Sequence, residues 1–230
     1  MIATPPRPSS SQGYYPVVSF PPWFHDEALK ARLVEIGQRR YRAFDDGPDR
    51  PHAVRDAFTE LVALLADPED AALTHRRYVR LGLILALGTR FSISLYEAGN
   101  AAIPKVRKDV ERWLKDCTPF PEPVGPELLP VPMTAEQVRD DAVEVHRTLS
   151  EMPGNPEAAG ELLWDILDLT LDGYAIHPGG GLSKRDLFNW ALSEAVPAAW
   201  LERLPDHIFN GDWPWPPRPA EDQSPSMKNT

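Results

Sequence analysis

The chain has 230 residues, with 24 Lys and Arg against 34 Asp and Glu, a net charge of −10 and a single cysteine. That length supports one large domain or two small ones with a sizeable core, and the acidic balance argues against nucleic acid as a partner. The lone Cys117 has no intrachain disulfide partner, which fits a reducing, cytoplasmic setting.

The opening MIATPPRPSSSQGYYPVV has neither a basic n-region nor an apolar h-region, so export by the usual signal is not expected. Residues 1–13 combine prolines and serines without apolar periodicity and are expected to be disordered, whereas the aromatic stretch from Tyr14 to Phe24 is expected to lie extended across a helical body. Together, 1–24 form a Pro-rich arm. The spacing of Leu29, Leu33, Ile36 and Tyr41 predicts an amphipathic helix from about His25 to Phe44, ended by the turn from Asp45 to Asp49. A second helix, from about Pro51 to Ala66, turns Val54, Phe58, Leu61, Val62 and Leu65 inward.

Residues 81–87, LGLILAL, carry no polar side chain on any face, which places them in the middle of the fold. We expect a buried central helix over about 70–97. Its seven-residue apolar run is far short of the roughly 20 residues a membrane helix needs, so the protein is expected to be soluble, with no membrane partner. Gly82 and Gly88 each cost about 1 kcal/mol of helix propensity relative to Ala, which predicts another helix backbone passing close by. Phe91, Ile93 and Leu95 alternate with serines at a strand-like period, but the adopted reading is helix. His75, Arg76, Arg77 and Arg80 crowd the start of this element and require an acidic counterpart, for which the acids of the second half are the candidate. A basic amphipathic helix runs from Pro104 through Lys115.

Residues 118–133 hold six prolines and read as a semi-rigid connector. The charge shifts at the same place. Lys and Arg number 17 against 15 acids through residue 118, and 7 against 19 from residue 119 onward. The connector is therefore expected to separate an N-terminal helical subdomain, 25–117, from an acidic C-terminal one, 134–212. Thr134 and Gln137 form a capping box for a helix to about Met152. The next helix starts near Asn155 and ends at Gly173, making an antiparallel hairpin. Ser183 caps a further helix to about Ala195, and Pro197 restarts a short one to Leu204. Residues 213–230 are a Pro-rich, largely disordered tail. Its Trp213-Pro-Trp215 stretch either packs on its own domain or serves as a polyproline ligand. The whole is an all-α bundle of about seven to eight helices around the central one, with Pro-rich extended arms at both termini.

Three constellations carry possible chemistry. Glu161, Asp165, Asp168 and Asp172 fall at i, i+4, i+7 and i+11, one stripe of one helix. They form either a face for a basic protein partner or a solvated surface. Asp140, Asp141 and Glu144 on the preceding helix have the DDxxE spacing of diphosphate-using helical enzymes, and the two acid rows could hold Mg²⁺. The third is the loop His177-Pro-Gly179-Gly180-Gly181-Leu-Ser183-Lys184-Arg185, glycine-rich and running into a helix N-terminus. There, free N–H groups and two cations could hold a phosphate or carboxylate. It lacks the P-loop spacing. No nucleophile or metal-ligand motif is present, so no catalytic residue is assigned and no resident cofactor is expected. The leading expectation is a non-enzymatic interaction protein whose acidic second half binds a basic protein surface, as an immunity-type inhibitor does. The alternative is an enzyme or binder of an anionic small molecule.

Overall fold

The computed structural model describes residues 19–45, 48, 50–116, 136–175 and 184–202. Most of the N-terminal arm, Cys117, the connector, Thr134, the loop 176–183 and the tail lie outside the described residues. The protein is all-α. Among the described residues no strand forms, and the single β-bridge, Tyr41 with His52, is isolated.

Helix α1 (Glu27–Gln38) starts where the Asp26 carboxylate accepts from the Leu29 amide at 2.9 Å, an N-cap. It stops well short of Phe44. Continuation would require the Tyr41 amide to donate to the Gly37 carbonyl. Instead Asp45 takes that amide at 2.6 Å, and Arg185 donates to the Gly37 carbonyl at 2.5 Å. Side chains thus outcompete the helix ladder. Helix α2 (Val54–Leu65) begins three residues later than Pro51 because the Arg42 amide binds the His52 carbonyl at 3.1 Å, holding that segment in the bridge.

Helix α3 (Ala71–Ala86), capped by Asp70, buries Val79 and every residue from Leu81 to Ala86. The predicted span 70–97 is not one helix. A 3₁₀ turn at Leu87–Thr89 separates α3 from α4 (Arg90–Tyr96), with Thr89 Oγ1 donating to the Ala86 carbonyl at 2.8 Å. The alternating stretch is helical. Helix α5 (Ala102–Asp116) follows, with Asn100 accepting from its first amide at 3.1 Å.

Helices α6 (Glu136–Glu151) and α7 (Ala159–Ala175) pack along their length as the predicted hairpin, turning through a 3₁₀ segment at Met152–Gly154. Helix α8 (Lys184–Trp190) runs without interruption through a π-helical turn (Ala191–Ala195) into α9 (Val196–Trp200).

One hydrophobic core takes Leu33, Leu61, Leu81, Leu85, Val110, Leu149, Leu163, Ile166, Phe188 and Ala199. Residues on both sides of 118–133 contribute to it. At both glycines, Gly82 in α3 and Gly88 in the 3₁₀ turn after it, the space is taken by side chains rather than by the helix backbone that was expected there. A Cβ on Gly82 would lie 2.7 Å from Met152 Sδ and 3.2 Å from Ile166 Cδ1, and one on Gly88 would lie 2.7 Å from Thr170 Cγ2. Thr170 is β-branched and held in one of few rotamers, so it has less freedom to yield than Met152. Gly88→Ala is therefore expected to lower stability by about 1–3 kcal/mol, read from urea unfolding. Thr170→Ser, which removes the opposing methyl, should recover much of that loss in the double variant.

Candidate functional site

The acidic stripe is presented to solvent. Glu161, Asp165, Asp168 and Asp172 are all exposed on α7, while Leu163, Ile166, Leu167 and Leu171 between them are buried. Two of the four are answered within the chain. Glu161 pairs with Arg55 at 2.5 Å, and Asp172 pairs with Lys184. Asp165 and Asp168 have no ion pair among the described residues. Partial loss of water, then repulsion from Asp172, holds the Asp168 carboxyl above the usual carboxylate range.

The second acid row is dispersed. Asp140 is exposed and bonds Arg139 at 2.7 Å, and Glu144 pairs with Arg147, whose guanidinium holds the Glu144 carboxyl below its ordinary range. Asp141 is buried against Gly173, its Oδ2 without a hydrogen-bond partner, and burial followed by the charge of Asp172 pushes its carboxyl up. Consecutive positions on a helix point about 100° apart, which separates Asp140 from Asp141. Among the described residues no group of three or more His, Cys, Asp or Glu is placed to hold a metal ion.

His177, Gly179, Gly180, Gly181 and Ser183 lie outside the described residues. The two cations after them are used internally. Lys184 meets Asp172, and Arg185, 5% exposed, bonds the Gly37 and Arg39 carbonyls and faces Asp45 at 3.7 Å. Arg185 thereby closes the end of α1.

The arginine-rich start of α3 finds its acid elsewhere than expected. Glu202, just past α9, meets Arg76 at 3.0 Å and Arg80 at 3.7 Å. Arg77 lies 3.9 Å over the Trp200 ring and bonds the Leu65 carbonyl, and His75 bonds the Met152 carbonyl at 2.8 Å. Glu202 has φ 52°, a left-handed conformation usually left to Gly.

Two ionisable groups were not singled out in the sequence. His146 on α6 is 1% exposed, and burial lowers it to about 4. Glu194, in the π turn, is raised by burial to about 7.

No family model, curated protein or solved structure matches the chain. Among the described residues no helix is long and apolar enough to cross a membrane.

Removing Arg185 takes from the Asp45 carboxylate its facing cation, leaving it the Tyr41 amide, and takes from the Gly37 and Arg39 carbonyls the guanidinium that donates to them. Arg185→Met is expected to cost about 3 kcal/mol in chemical denaturation. The two shifted groups act oppositely on stability. His146 binds its proton less readily when folded, so its contribution is lost as pH falls from about 6.5 to about 4. Glu194 binds its proton more readily when folded, so its contribution is full below about 4.5 and lost as pH rises through about 7. Glu194→Gln should be more stable than the wild type at about pH 8, with the difference gone by about pH 4, in urea midpoints measured across that range.

Proposed function

We propose that this chain is a soluble, cytoplasmic, non-enzymatic interaction protein whose acidic C-terminal half engages a basic protein surface, as a neutralising or immunity-type inhibitor does. The observation that carries the reading is the row Glu161, Asp165, Asp168 and Asp172, exposed along one face of α7, with Asp165 and Asp168 in no ion pair among the described residues. Carboxylates held near one another repel, as Asp172 does Asp168, and a row of lysines or arginines on a partner would relieve that repulsion while steering its approach. The face is rigidly backed, because the opposite side of α7 lies in the core.

The reading predicts a salt-sensitive complex. Wild-type protein immobilised against lysate of its own organism should retain a basic protein. The triple variant Asp165→Asn, Asp168→Asn, Asp172→Asn should bind that protein at least about tenfold more weakly, with its helical circular dichroism unchanged. Retention of the same partner at equal affinity by both, or of an acidic one, would sink the proposal.

A further inference from the structure

Helix α5 carries a basic row of its own. Lys105, Lys108, Arg112 and Lys115 fall at i, i+3, i+7 and i+10, one face of the helix, and all four are exposed. A shallow cleft of about 630 Å³ opens along this face, lined by Ala101, Pro104, Lys105, Lys108, Asp109 and Arg112. Asp109, 7% exposed, holds two of the cations, Lys105 at 2.7 Å and Arg112 at 3.1 Å. Lys108 and Lys115 are in no ion pair among the described residues. Asp116 borders the row as a second acid, so four cations stand against two carboxylates and the face keeps an excess of two positive charges.

This row and the acidic row of α7 correspond in length and in step. With a rise of about 1.5 Å per residue, the cations stand at about 0, 4.5, 10.5 and 15 Å along α5, and Glu161, Asp165, Asp168 and Asp172 at about 0, 6, 10.5 and 16.5 Å along α7. Laid side by side in either direction, each cation comes within about 1.5 Å of a carboxylate along the shared axis. The two rows of one copy do not meet, because α6 stands between their helices. Val143 of α6 is buried with Ile103 of α5, while Asp141, about 200° around the helix, lies against Gly173 of α7.

We propose that the basic cleft of α5 docks the acidic α7 face of a second copy of this chain. The contact rests on the reading of the α7 row as a docking face, and it gives that face a competing occupant. It is head-to-tail, so each bound copy keeps one free row of each sign, and association runs past the dimer unless a ring closes. Exposed ion pairs contribute little each and are screened by salt. The contact is therefore weak, forms at high protein concentration, and yields the α7 row to a more strongly basic partner.

Sedimentation velocity of the purified full chain at about 20 mM salt, where screening is weak, tests the contact. The wild-type mass should rise above the monomer with concentration and return to it in about 0.5 M salt. Lys108→Gln with Lys115→Gln, and separately Asp165→Asn with Asp168→Asn, should each weaken association about tenfold or more. All four positions are exposed, and helical circular dichroism checks both folds. Mixed, the two variants should form a 1:1 dimer and nothing larger, since one keeps an intact acidic row and the other an intact basic row. A wild type that stays monomeric at every concentration, or a mixture no heavier than its separate components, overturns the proposal. The α5 variant tells this failure from failure of the α7 reading. It should capture the basic partner of α7 as tightly as the wild type does, whereas a false α7 reading removes that capture from both.

Discussion

The fold depends on how closely α7 approaches α3. At Gly82 and Gly88 the central helix has no side chain, and Met152, Ile166 and Thr170 occupy the space a Cβ would claim. Close packing of this kind is sensitive to a single methyl group. Met152 sits at the turn of the α6–α7 hairpin, so its seat on Gly82 also fixes where the hairpin folds back. The outer helices then take their places against a settled pair. Arg77 rests over Trp200, Tyr78 donates to the Val62 carbonyl at 2.8 Å, and Gly160 lies against Val62.

Much of this was legible in the sequence. The all-apolar run marked the centre, its glycines foretold a close neighbour, and the i, i+4, i+7, i+11 spacing put four carboxylates on one outward face. What periodicity conveys is which side of a helix faces inward. It does not say which distant residue waits there. The acid for Arg76 and Arg80 was therefore sought in the α7 stripe, whereas it is Glu202, 126 positions beyond Arg76. Lys184 and Arg185 looked like anion ligands for the same reason, because the Gly37 carbonyl that receives Arg185 is remote in sequence. Early termination of α1 was hidden by that same bond.

The charges divide into those satisfied locally and those left over. Glu60 accepts from Arg32 and Arg39 while Glu35 bonds both arginines, and Arg147 bridges Glu144 and Glu151. Exposed pairs of this type add little stability each. Their value here is by contrast. With so many side chains neutralised by near neighbours, Asp165 and Asp168 on α7 stand out as carboxylates with no ion pair among the described residues.

The π turn at Ala191–Ala195 bears on how α9 is aimed. A π turn carries one residue more than the α-helical turn it replaces, and that residue shifts the rotational phase of everything after it by roughly 100°. With the regular α-helical phase, Trp200 would swing away from Arg77 and Glu202 away from Arg76 and Arg80. The extra residue is thus a phase adjustment. It lets one continuous helical segment bury Phe188 on one azimuth and, about three turns later, deliver the Trp200 ring, with the Glu202 carboxylate just beyond it, to the start of the central helix.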